Sequence, residues 1–281
     1  MIGVLIVGFL TFFLIWPMPW FHLDYVFSYT AALRNYPHSV PEVFFGKLML
    51  VPVIYYAIYF LITTPLLILI FFIAGLVKIN RQKTWILLSL VAWFIIPFIQ
   101  SFYNFRQHGV RYIIEIYAPL ALISAIGIEF IVDKLKKKWF KTLFVIGVIS
   151  YLFFILLRIT PYYLDYFNEL VGGPKNVYEK RMFQLGWWGQ GIREAAYYIK
   201  NHAPLGSRIG IALSPSHVTP PLEKMVVERY EEGKKYDYII VNFYNVLREG
   251  FDDSKIKDNY RIVYEVNADG AKLVSVYKHY D

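Results

Sequence analysis

Arg106, His108 and Arg111 share one short segment between two apolar runs, and Glu115 follows one helical turn later. A guanidinium presents a planar fork that matches two phosphate oxygens at once, so this cluster suits the grip of a lipid phosphate. The same cations also suit a plain anchor at a membrane interface. Glu115 lies inside an apolar run, where an ionisable group is costly and usually paired. Arg111, at i−4, is its natural partner; contact with a metal or a substrate is the other reading. Asp24 offers a carboxylate just beyond the first apolar run, placed to accept a proton as a general base. A solvated loop acid beyond an aromatic belt is the favoured reading of Asp24. His38 and Lys47 complete the set of residues that could face one cavity, although a lone histidine is more often simply hydrogen-bonded.

Other chemistries are excluded. The chain has no cysteine, so it forms neither a disulfide nor a thiolate metal site. No glycine-rich phosphate loop follows a strand, and no histidines stand at metal-ligand spacing. The formal net charge is +8. Nucleic-acid binding is the quick inference from that charge, but the cations cluster in short loops between apolar runs, as membrane proteins use them to fix orientation.

The elements that must position these residues are mostly apolar. Of 281 residues, 57% are hydrophobic, and the mean hydropathy is +0.41; globular domains run nearer 45–50% apolar. The excess sits before about residue 158. Runs over about 2–20, 53–77, 85–101, 112–131 and 142–157 predict about five transmembrane helices. A signal peptide fits the first run poorly, because no basic residue precedes it and no small-x-small site follows. The chain starts inside an apolar run, which is unusual for a complete polytopic protein. Residues 22–51 read as a long polar-aromatic loop. Lys78, Arg81 and Lys83 form one basic loop, and Lys134, Lys136, Lys137, Lys138 and Lys141 another. If five helices span, both loops lie on the cytoplasmic side, with the N-terminus, and the segment after 158 lies outside. A transporter is disfavoured, since apart from Glu115 the helices lack buried charges and no internal repeat is visible.

Residues 159–281 read as a small α/β domain. Ile192, Ala195, Ala196 and Ile199 mark one face of a helix over 190–201. Residues 208–213 alternate as a strand, and the apolar run 238–243 fits a strand buried on both faces. Strands over 260–266 and 271–277 flank Asn267-Ala268-Asp269-Gly270, a hairpin turn. The fold class is thus a polytopic α-helical membrane protein with a C-terminal extracytoplasmic small α/β domain.

Several segments, in order, carry a likeness to a known family: Tyr36-Pro37-His38, Phe44-Phe45-Gly46-Lys47, Thr63-Thr64-Pro65, Arg111-Tyr112, Tyr166-Phe167-Asn168 with Gly172-Gly173-Pro174, and Trp188-Gly189-Gln190. Over about 36–200 the chain resembles the C-terminal half of GT-C membrane glycosyltransferases of the protein O-mannosyltransferase and aminoarabinose-transferase type, family 39-like, in their prokaryotic form. Trp187 and Gly191 stand where the family often has acids. The resemblance implies transfer of a sugar from a polyprenyl-phosphate donor to an acceptor on the outer membrane face, with a divalent metal a candidate in the complete enzyme. It also implies a first half, bearing the catalytic acid, on a separate polypeptide or on a longer gene product. Arg106, His108, Arg111, Glu115, His38 and Lys47 become candidates for donor binding, and Asp24 a weaker one for catalysis. The glycine-rich and Trp-Gly-Gln elements read as turns that seat the soluble domain on the helices. The alternative is a non-catalytic membrane module that binds a lipid-linked sugar.

Overall fold

A computed structural model describes residues 2–16, 18–34, 41–82, 84–102, 109–212, 221–248 and 250–280. These fall into two compact units, Met1–His38 and Ser39–Asp281.

The first unit holds helix α1, Ile2–Ile15, one further turn at Met18–Phe21, and helix α2, Leu23–Arg34. The loop expected over 22–51 therefore carries a helix at Leu23–Arg34. Asp24 sits in the first turn of α2, exposed, where a carboxylate complements the positive end of the helix dipole.

The second unit opens with a hairpin of β1, Glu42–Phe44, and β2, Lys47–Met49. Its turn residues, Phe45 and Gly46, both have positive φ, as a two-residue hairpin turn requires. Helix α3, Tyr55–Thr63, then meets α4, Leu66–Gln82, at an angle of 110°. Pro65 causes the break: it has no N–H to continue the ladder, and it drives Thr64 into an extended conformation. Helix α5, Trp85–Gln100, carries Pro97 within it. A 3-10 segment, Gly109–Ile116, runs into α6, Tyr117–Asp133, and α7 follows at Lys138–Ile159.

The five expected spans are reduced here. Two helices, Gly109–Asp133 and Lys138–Ile159, are long and apolar enough to cross a membrane, and the bent α3–α4 pair makes three if counted as one span. Helix α5 has 16 residues, about 24 Å at 1.5 Å per residue and short of the ~30 Å hydrocarbon core. Helix α1 is shorter still, at 14 residues. Side chains such as Trp85, Ile149 and Phe153 are exposed, which suits lipid and not water.

Helices α4 and α6 cross closely. A Cβ at Gly127 would lie 1.8 Å from the Phe71 carbonyl oxygen, and one at Gly75 2.0 Å from that of Ile123. Small residues let membrane helices approach in this way. Gly127→Ala is therefore expected to force the pair apart and lower stability by about 2 kcal/mol, read as a lower melting temperature in detergent micelles; an unchanged melting temperature would contradict this packing. Lys78, near the end of α4, pairs with Glu129 of α6 at 2.5 Å. That contact puts Lys78 and Arg81 at the same end of the helices as Asp133 and Lys134, with Arg111 and Ile159 toward the other.

Helices α8, Gly173–Glu179, and α9, Ile192–His202, lead into a five-stranded mixed sheet. Its strands are β3, Arg208–Ile211; β4, Val226–Arg229; β5, Tyr238–Asn242; β6, Tyr260–Ala268; and β7, Ala271–His279. Their order is β4-β3-β5-β7-β6, with β4, β3 and β5 parallel and the β6–β7 hairpin antiparallel on the other side. Helices α10, Phe243–Arg248, and α11, Ser254–Lys257, complete the chain. Every residue of β5 is buried, since Ile240 joins the core beneath α9 while Ile239 and Val241 join a second cluster around Tyr236 and Tyr277. Strand β4 was not anticipated. Residues 39–281 pack as one unit across residue 158, where the sequence changes composition.

Candidate functional site

The break between α3 and α4 exposes carbonyls that no residue of the helix can satisfy. Pro65 cannot donate to Leu61 O. Asn168 takes over: its Nδ2 donates to Leu61 O and to Thr64 O, both at 2.6 Å, and its backbone N–H donates to Ile62 O at 2.8 Å. Its own Oδ1 accepts the Leu170 N–H at 3.0 Å. The Thr-Thr-Pro and Tyr-Phe-Asn elements are thus two sides of one joint. That joint holds the Phe167 ring beside Tyr59 of α3.

The Trp187-Trp188-Gly189-Gln190 segment is positioned by local bonds. Trp187 Nε1 donates to Gln184 O at 2.8 Å, and Gln190 Oε1 accepts the Trp188 N–H at 2.8 Å. Gly189 and Gly191 both have positive φ, and a Cβ on Gly191 would press on Val266 at 2.8 Å, so glycine is required there. Gly109, at φ +70°, lies against the Trp187 indole, where a Cβ would come within 2.7 Å of the ring.

Between these pieces lies a cavity of about 410 Å³, within the size range of small-molecule sites. Tyr59 and Thr63 of α3, Arg111, Tyr163, Tyr166 and the two tryptophans contribute to its wall. Most of the lining is aromatic or aliphatic. Arg111 is the exception. Its guanidinium stacks on the Trp188 ring and on the Tyr112 ring, each at 4.5 Å, and Nη2 donates to Tyr112 Oη at 2.8 Å. Its Nε is buried without a hydrogen-bond partner. The expected Arg111–Glu115 ion pair does not form, because Arg111 turns toward the tryptophan while Glu115 is exposed. Among the described residues, Arg111 has no carboxylate partner, and no Asp or Glu lines the cavity.

The other expected site residues divide. Lys47 is exposed on β2 and does not line the cavity, and Asp24 lies in the first unit. His38, Arg106 and His108 lie outside the described residues. Among the described residues no group of three or more His, Asp or Glu is placed to hold a metal ion.

Asp165 escaped notice in the sequence. It is fully buried directly behind Leu164 and Tyr166, and its Oδ1 accepts the Gly186 N–H at 2.7 Å while Oδ2 has no partner. Burial pushes its pKa up to about 7. A lone acid inside Tyr162-Tyr163-Leu164-Asp165-Tyr166-Phe167 was the available signal. It ties together two walls of the cavity. Burial, followed by the nearby Glu169 carboxylate, also raises the Tyr166 phenol, which keeps it a neutral hydroxyl.

No protein-family model and no curated protein matches the chain.

Proposed function

We propose that residues 39–281 form the part of a GT-C-type membrane glycosyltransferase that holds a polyprenyl-phosphate donor, for sugar transfer to an acceptor on the outer membrane face. One observation carries this reading. Arg111, a cation without a carboxylate partner among the described residues, projects onto an apolar, aromatic cavity at the end of the membrane helices. An isoprenoid phosphate has the complementary build, an apolar chain ending in an anion. The Trp188 ring orients the guanidinium by cation–π contact, and a guanidinium fork is the donor geometry that phosphate prefers. In this reading the basic segments 78–83 and 133–141 face the cytoplasm, and five apolar segments, including the short α1 and α5, lie in the bilayer of the cell membrane.

The second reading, a non-catalytic module that binds a lipid-linked sugar, is favoured by the absence of a described carboxylate from the cavity wall. Both readings need the same grip on phosphate. Binding of polyprenyl phosphate to the protein in lipid nanodiscs tests it. Arg111→Ala is expected to weaken binding by about ten- to a hundredfold, the worth of hydrogen bonds to a charged group, with Arg111→Lys in between because a point charge replaces the fork. Equal binding by wild type and Arg111→Ala would overturn the proposal. Transfer of label from a polyprenyl-phosphate sugar then separates enzyme from module.

A further inference from the structure

A second cavity, of about 250 Å³, adjoins the first: Tyr166 and Phe167 line both. Its remaining wall comes from the end of α7, from Asn168, Glu169 and the Gly172-Gly173 pair, and from the turn of the β6–β7 hairpin. The polar groups alternate in sign. Arg158 donates through Nε and Nη2 to one oxygen of Asp269, at 2.9 and 2.5 Å. The other oxygen of Asp269 takes no hydrogen bond among the described residues. Across the cavity, Glu169 uses Oε1 to accept the Tyr151 hydroxyl at 2.7 Å, which leaves Oε2 open. The Tyr166 hydroxyl is buried without a partner.

This arrangement selects by charge. A free cation meets Arg158, and an anion meets Glu169 and Asp269. A neutral ring bearing several hydroxyls satisfies all of them, because each hydroxyl both donates and accepts. The carboxylates take its O–H groups, Arg158 donates to its oxygens, and the aromatic wall receives its C–H face. The volume suits one monosaccharide.

We infer that the cavity formed by Arg158, Glu169, Asp269 and Tyr166 is a monosaccharide subsite that receives the sugar of the lipid whose phosphate rests on Arg111. The inference builds on the proposed donor site, and its test separates the two. The probes are bare polyprenyl phosphate and the same lipid carrying glucose, galactose or mannose, bound to the protein in nanodiscs. Wild type is expected to bind at least one sugar-bearing lipid about tenfold more tightly than the bare lipid, the worth of one charge-assisted hydrogen bond. Glu169→Gln keeps an acceptor for Tyr151 and is expected to lose the preference while binding bare lipid normally; Asp269→Asn is expected to behave likewise. Arg111→Ala is expected to weaken both lipids equally. The subsite is overturned if no sugar-bearing lipid binds more tightly than the bare one, or if Glu169→Gln and Asp269→Asn both keep the preference. An Arg111→Ala variant that binds every lipid normally overturns the phosphate site instead. Melting temperatures within a degree or two of wild type are expected for both carboxylate variants, since Glu169 and Asp269 bond through exposed pairs.

Discussion

Asn168→Leu is expected to lower the unfolding free energy by about 4 kcal/mol, because two carbonyl groups that Pro65 leaves without a helical partner lose their donor together. Each buried carbonyl stripped of its hydrogen bond costs roughly 1–3 kcal/mol. Leu61 O and Thr64 O both depend on Asn168 Nδ2. The backbone bond from Asn168 to Ile62 O survives the substitution, so the joint weakens without vanishing. Asn168→Asp is expected to fare no better, since a carboxylate has no proton to give. Denaturant titration in detergent micelles reads the effect. A loss under about 1 kcal/mol for both variants would mean that water replaces the amide and that the joint is not held by this side chain.

Asp165 sets the second large effect, and its signature is a slope against pH. Its pKa is raised from 3.8 to about 7 in the folded protein, so between those values the folded state holds a proton that the unfolded state has released. Stability therefore falls as pH rises from about 4 to about 7 and levels off above that. Three pH units at 1.36 kcal/mol each set an upper limit of about 4 kcal/mol for the total loss. Asp165→Asn keeps an acceptor for the Gly186 N–H and removes the titration. The variant is expected to show a flatter profile over pH 4–7 and to exceed wild type in stability at pH 8. A wild-type profile that is flat, or a slope that persists in Asp165→Asn, would place the proton uptake elsewhere.

What could be read from the sequence follows the range of the interactions involved. The β6–β7 hairpin was legible because its turn is chemical: Asp269 and Gly270 both adopt positive φ, and period-2 alternation flanks them. The α9 face was legible for the same local reason. Pro65 stands in the second apolar run, but the carbonyls freed at its 110° bend find their donor in Asn168, far along the chain. Strand β4 was hidden because Val226–Arg229 is a short, half-exposed edge strand, paired with β3. Part of the difference in span count is physical: a hydropathy window does not see that Pro65 breaks one apolar run into α3 and α4.

The site divides in the same way. Arg111 was identified from its type and place, and the pairing with Glu115 was the sensible local expectation. Trp188 outcompetes Glu115 because the Gly189–Gly191 turn delivers an indole to the guanidinium, a contact that no helical spacing reveals. Tyr163 and Tyr166 follow the last apolar run and wall a cavity. Asp165 was hidden because its role is set by burial and by the backbone of Gly186.

Photo-crosslinking in nanodiscs tests the central claim most directly. A polyprenyl phosphate with a diazirine beside its phosphate is irradiated on the protein, and the labelled residues are mapped by mass spectrometry. Label is expected on Tyr163, Tyr166, Trp187 and Trp188, and is expected to disappear from them in Arg111→Ala. Label confined to the lipid-facing sides of α5 and α7, unchanged by Arg111→Ala, would contradict a phosphate site at Arg111.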